Sequence, residues 1–160
     1  MSGELPLETI YQERILELYR RPHGKQRLAN PDATGTAHNP LCGEDVTIML
    51  RHSEPAGQGI ISEVSFLGDG CSVSQASASM LTDAVRGRSR LDAITLARTL
   101  RRHFAPSPEV ASGAELPGDL VTLTAIRRVP SRVPCALLPW TALERALAGT
   151  DPVETGDSLL

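Results

Sequence analysis

The stretch Gly68-Asp69-Gly70-Cys71-Ser72-Val73-Ser74-Gln75-Ala76-Ser77-Ala78-Ser79-Met80-Leu81-Thr82-Asp83-Ala84-Val85 decides the fold. A strand-like run, Ile60 to Phe66, feeds into it. Gly68 and Gly70 permit a tight turn, because glycine reaches positive φ without a steric penalty. Ser72 and Gln75 have the spacing of a capping box, which predicts a helix that starts beside Cys71 and runs to about Arg86, with Gly87 as its stop. Unpaired N–H groups and the macrodipole at such a terminus favour a thiolate. Ala76, Ser77, Ala78 and Ser79 keep the helix surface small, so another element can approach it closely.

Upstream, Val46, Ile48 and Leu50 alternate with Thr47, Met49 and Arg51, the pattern of a half-buried strand. Glu54 to Gly59 reads as a hairpin loop, and Ile60 to Phe66 as the returning strand, although Ile61 blurs its alternation. Thr34 to His38 adds a short strand before the turn at Asn39-Pro40. Cys42 lies just before one hairpin strand and Cys71 just after the other. The two ends of an antiparallel hairpin are neighbours, so this pattern brings Cys42 and Cys71 together.

Around this hairpin the chain reads as helical. Leu7 to Tyr19 carries Leu7, Tyr11, Ile15 and Leu18 at helical spacing. Ser89 and Asp92 give a second capping signal, ahead of an apolar face of Leu91, Ile94, Ala97, Leu100 and Phe104. Ala105 to Pro117 is a loop. Asp119 to Ile126 is left open between helix and extension, with Val121, Leu123 and the threonines favouring extension. The last apolar segment runs from Ala136 to Ala148, with a helix starting at Pro139 or holding Pro139 in its first turn; both place Cys135 near an N-terminus. Residues 1–148 are expected to form one domain, and 149–160 a disordered tail.

The 160 residues are 41% hydrophobic, enough for a real core, but only 3% aromatic, so Leu, Val, Ile, Ala and Met must build it. The formal net charge of −3 argues against a general nucleic-acid binder. Arg86, Arg88, Arg90, Arg98, Arg101 and Arg102 share one helical region, which reads as a solvated face or as a docking surface for an acidic protein. Met1 to Leu7 holds acid and proline with no apolar run behind it, and no segment is long and apolar enough to span a bilayer. A cytoplasmic protein without membrane contact is therefore expected. In that compartment three cysteines point to metal binding, thiol chemistry or plain burial rather than to disulfides.

No Cys-x-x-Cys pair, phosphate loop, dinucleotide fingerprint or nucleophile elbow is present. Each cysteine stands at an element boundary. Three thiolates and one carboxylate complete a tetrahedral zinc site, and Glu44 is the natural fourth ligand, with Asp45 its competitor. Each cysteine as a small buried hydrophobe is the competing reading. His38 is the histidine nearest Cys42, and it reads as a surface residue at a strand end.

Asn39-Pro40-Leu41-Cys42-Gly43-Glu44, Gly68-Asp69-Gly70-Cys71-Ser72-Val73-Ser74, Ala76-Ser77-Ala78-Ser79-Met80 and Arg132-Val133-Pro134-Cys135-Ala136-Leu137-Leu138-Pro139-Trp140 resemble the SufU/IscU family. The likeness runs from about Leu7 to Ala148. It implies an α+β fold, a small antiparallel sheet of about three strands packed against several helices, with the cysteines at one exposed end. The resemblance alone draws Cys135 to the other two. The long interval from Cys71 to Cys135 looks like the insertion of the SufU type. The histidine that precedes the third cysteine in IscU-type scaffolds is Pro134 here, where SufU proteins usually have lysine.

The SufU likeness implies Zn2+ held by Cys42, Cys71, Cys135 and the acid at Glu44, where the family pattern has Asp. It also implies sulfur received as a persulfide from a SufS-type cysteine desulfurase, for transfer to downstream iron–sulfur assembly machinery. Cys42 is the expected acceptor, because it stands on a Pro- and Gly-bounded turn whereas Cys71 and Cys135 are anchored at helices. A scaffold that builds a transient iron–sulfur cluster on the same cysteines, and an interaction module with purely structural zinc, are the alternatives. Arg132 is expected beside the site, offsetting its negative charge.

Overall fold

The computed structural model describes residues 7–41, 43–53, 59–105 and 116–149. Cys42, most of the expected hairpin loop and of the loop Ala105 to Pro117, and the tail beyond Gly149 lie outside the described residues.

Helix α1 spans Leu7–Arg20. Ile15 and Leu18 are buried, while the side chains of Leu7 and Tyr11 lie outside the described set. Strands β1 (Ala33–Asn39), β2 (Glu44–His52) and β3 (Ile61–Leu67) form an antiparallel sheet in the order β1-β2-β3. Val46, Ile48 and Leu50 are buried on one face of β2 as their alternation requires, and Ile48 pairs with both Gly35 and Phe66.

The blurred alternation at Ile61 has a structural cause. The register shifts at Arg51/His52, so that Arg51 pairs with Glu63 and His52 with Ile61. This bulge places an extra residue in β3, and both Ile61 and Val64 face the core. Ile60, read as the start of the strand, precedes it and is exposed.

Helix α2 (Ser72–Val85) is buried on almost every side, which its Ala and Ser content permits. It packs against β3, α1 and the last helix. Ser77 Oγ donates to the carbonyl of Ala136 at 2.6 Å and accepts from Trp140 Nε1 at 3.1 Å, so one hydroxyl satisfies both groups in a buried interface. Helix α3 (Arg90–His103) starts as read, with the Asp92 N–H donating to Ser89 Oγ. Its buried face is Ala93, Leu96, Ala97 and Leu100. Leu91 is 69% exposed, so the core-facing stripe is rotated from the expected one.

Leu120–Leu123 forms a short helix, α4, followed by 3-10 turns at Thr124–Arg128 and Pro130–Arg132. Leu120, Leu123 and Ile126 are buried at steps of three. Burial at helical spacing overrides the β-propensity that favoured extension. Helix α5 spans Val133–Ala148, starting before the expected position and carrying Pro139 in its interior. Cys135 is its third residue. Proline has no N–H, so Pro139 cannot donate to the Cys135 carbonyl as a helical residue would.

Helix α5 lies across β1 and β2, with α2 alongside it. Several of the clustered arginines serve the fold. Arg101 pairs with Glu144 at 2.7 Å and donates to Thr141, and Arg90 donates to the Leu147 carbonyl. Both therefore tie α3 to α5. Among the described residues no helix is long and apolar enough to cross a membrane.

Candidate metal centre

Two turns and one helix start converge at the end of the sheet. The first turn joins β1 to β2. Asn39 is buried, its Oδ1 accepts the Leu41 N–H, and its carbonyl accepts the Gly43 N–H at 2.8 Å. Gly43 sits at φ +69°, a conformation that favours glycine. Glu44 then opens β2 on the same face as Val46, Ile48 and Leu50, and is only 4% exposed. Asp45 points to the opposite face, is exposed, and pairs with His38 Nδ1. The period of the strand thus separates the two candidate carboxylates.

The second turn joins β3 to α2. The Asp45 N–H donates to the Asp69 carbonyl. Gly68 adopts φ +127°, and a Cβ there would stand 2.1 Å from the Asp45 carbonyl oxygen. Gly70 fills the space beside Glu44, where a Cβ would stand 2.3 Å from Ser74 Oγ and 3.5 Å from the Glu44 carboxyl carbon. Cys71 is itself the residue that precedes the first turn of α2. The capping box read from Ser72 and Gln75 does not form: Ser72 is the first helical residue, and Ser74 Oγ donates to the Cys71 carbonyl.

The Cys71 N–H donates to Glu44 Oε2 at 3.0 Å, and Cys135 Sγ lies 3.7 Å from the same oxygen. One ligand atom each from Glu44, Cys71 and Cys135 lie within 4.8 Å of one another. Cys135 is buried and Cys71 half-buried. Glu44 Oε1 is buried and has no hydrogen-bond partner among the described residues. A buried carboxylate oxygen without a partner is costly, and a cation bound at this carboxylate would satisfy it. Two sulfurs and one carboxylate oxygen form a donor set suited to zinc.

These residues form the floor of an open cavity of about 470 Å³, rimmed by Gly43, Asp69, Gly70 and Arg132. Cys42 lies outside the described residues, but its neighbour Gly43 is on that rim. Arg132 is exposed on the rim; its backbone N–H donates to the Val129 carbonyl, and its guanidinium makes no hydrogen bond or ion pair with the described residues. Asp69 and Gly70 also line the site, and their place beside Cys71 in the turn is the sequence signal for them.

Burial raises the carboxyl pKa of Glu44. The hydrogen bond with the Cys135 thiol is the main cause that lowers the Cys71 thiol to about 4. In metal-free protein the thiolate absorbance of Cys71 is therefore expected to persist at pH 6 and to fade only near 4. Cys135→Ala should move that midpoint upward. A midpoint at an ordinary thiol value in both proteins would contradict this arrangement.

The family model for the NifU-like N terminal domain matches residues 10–136. The zinc-dependent sulfurtransferase SufU of Bacillus subtilis (strain 168) is 31% identical over 148 residues, covering 92% of this chain and 96% of the relative. The iron-sulfur cluster assembly scaffold protein IscU of Streptococcus pyogenes serotype M1 is 31% identical over 146 residues, covering 88% and 84%. Among solved structures, FiSufU of Fervidobacterium islandicum AW-1 superimposes with a TM-score of 0.73 at 26% identity, covering 88% of this chain and 98% of that one. The N-terminal part of a NifU-like protein from Brucella abortus gives 0.71 at 25% identity, covering 89% and 95%. Family model, relatives and fold agree over nearly the whole described chain, and it belongs to the NifU-like N-terminal domain family, the group of iron–sulfur cluster assembly proteins that includes SufU and IscU.

Proposed function

We propose that this chain is a zinc-dependent sulfur carrier of iron–sulfur cluster assembly, which takes persulfide sulfur from a SufS-type cysteine desulfurase in the cytoplasm and hands it to downstream assembly proteins. The observation that carries this reading is the buried Glu44 carboxylate, one oxygen unpartnered, beside the Cys71 and Cys135 sulfurs on the floor of an open cavity. Cys42 completes the ligand set in this reading. Zn2+ bound there would keep the cysteines deprotonated and shield them from oxidation.

The chain's own residues divide the work. Glu44 is held by the Cys71 N–H, and Cys71 and Cys135 are fixed by the starts of α2 and α5. Cys42, which the sequence sets between Pro40 and Gly43, is the nucleophile in this reading. Its thiolate attacks the terminal sulfur of the desulfurase persulfide. A new S–S bond forms as the old one breaks, the desulfurase cysteine leaves as a thiolate, and no external oxidant or reductant is needed. The Arg132 guanidinium on the rim offsets the negative charge gathered there.

The IscU relatives support a second reading, a scaffold for an iron–sulfur cluster on the same side chains. Protein purified without oxygen separates the two: colourless protein with bound zinc supports transfer, and a brown chromophore supports the scaffold. The functional test is alanine production by the desulfurase with and without this chain. Cys42→Ala is expected to lose the stimulation seen with wild type. Cys71→Ala and Cys135→Ala should lose it together with the metal, and Glu44→Asp should keep zinc with altered affinity. Stimulation by Cys42→Ala equal to wild type would remove Cys42 from the acceptor role, and firm zinc binding without any stimulation by wild type would favour the structural module.

A further inference from the structure

Gln75 has the sequence position of a helix-capping residue, but its side chain does something else. It is 2% exposed, in the first turns of α2. Its Oε1 accepts a hydrogen bond from Lys25 Nζ at 2.7 Å, and its Nε2 donates to the Gly68 carbonyl at 3.4 Å. Lys25 belongs to the segment between α1 and β1, whose backbone bridges to Phe66 at the end of β3. The same amide nitrogen stands 3.5 Å from where a Cβ of Gly70 would be, and that point is also 3.5 Å from the Glu44 carboxyl carbon. The buried amide therefore bonds to Gly68 and borders the space that a side chain at Gly70 would fill, in the turn that delivers the Cys71 N–H to Glu44, and an exposed lysine holds it from the other side.

We propose that Gln75 is a positioning residue for the metal centre, with Lys25 as the lock that fixes its amide. Leucine at position 75 preserves most of the buried volume and removes both hydrogen bonds. The Gly68–Cys71 turn then loses its clamp, and the Cys71 N–H and Sγ are no longer held in one orientation toward Glu44. Partners of this outer kind are commonly worth 10- to 100-fold in metal affinity. Lys25→Met leaves the amide in place and frees only one end of it, so its effect has the same direction and is smaller.

The inference rests on the reading of Glu44, Cys71 and Cys135 as metal ligands, and the experiment keeps the two apart. Zn2+ affinity is measured on the full chain by competition with a chromophoric chelator. The sulfur-to-metal charge-transfer and ligand-field bands are recorded after loading with Co2+. Thermal melting of the metal-free protein reports on the fold. Gln75→Leu is expected to bind Zn2+ at least about 10-fold more weakly, with shifted Co2+ bands and a melting curve close to wild type. Lys25→Met is expected to weaken binding severalfold, and it is a surface change that keeps the test open if Gln75→Leu does not fold. Wild-type affinity and spectra in the folded variants would overturn the positioning role while leaving the ligands intact. A wild-type chain that binds neither Zn2+ nor Co2+ would instead overturn the metal reading.

Discussion

Gly35→Ala is expected to destabilise the protein by about 3 kcal/mol, the upper part of the usual cost of overpacking a core. For a chain of this size that is a fall in melting temperature of about 6–12 °C. A Cβ at position 35 would stand 2.2 Å from the Ala142 carbonyl oxygen and 2.4 Å from the Ala146 nitrogen. Both are backbone atoms of α5, so no rotamer change relieves the overlap. The strand is not free to retreat either, because β1 is tied to the central strand along its length, with Gly35 opposite Ile48. Helix α5 must lift away from β1, its most extensive contact. Cys135 is in the first turn of that helix, so the same substitution should weaken zinc binding. A thermal melt with a parallel zinc titration checks both effects, and a variant melting with wild type would show that α5 shifts on β1 without cost.

Glu44→Gln should move metal affinity and metal-free stability in opposite directions. Glutamine has nearly the same shape but no charge. Loss of the anionic ligand is expected to lower Zn2+ affinity by at least about 100-fold, since the loss of outer partners alone reaches that range. In the metal-free protein the carboxylate is buried with one oxygen unpartnered, and its pKa is raised chiefly by burial. A raised folded-state pKa contributes stability that is fully present below the unfolded value and is lost as pH rises through the folded value. At pH 8 the metal-free Gln variant should therefore be more stable than metal-free wild type, by about 1 kcal/mol from removal of a buried charge. That advantage should shrink as pH falls. Equal zinc affinity in the two proteins would show that Glu44 is not a ligand.

Much of this architecture is legible in local patterns. The alternation of Val46, Ile48 and Leu50 places β2, and Ser89 with Asp92 places the start of α3. The choice between Glu44 and Asp45 was also available, because continuing the alternation back two residues from Val46 puts Glu44 on the buried face. Other features depend on tertiary packing that no short window contains. Pro139 reads as the start of a helix or a member of its first turn, yet α5 begins at Val133 and accommodates the proline in its interior. The bulge that turns Ile61 inward arises from pairing with Arg51 and His52. Leu91 fits the α3 stripe as well as its neighbours do, but the direction from which α5 approaches leaves it in solvent. Gln75 matched a capping pattern and is used otherwise because Lys25, distant in sequence, reaches it. Cys135 came to the site only through family resemblance, since no periodicity links it to Cys71 across the intervening helices.

X-ray absorption at the zinc edge, on protein purified without oxygen, reads the proposed ligand set of the metal centre. The expected result is near-stoichiometric zinc in a shell of three sulfurs at about 2.3 Å and one oxygen at about 2.0–2.2 Å, from Cys42, Cys71, Cys135 and Glu44. A shell of nitrogen and oxygen alone, or protein that emerges folded and retains no zinc when the metal is supplied, would contradict it.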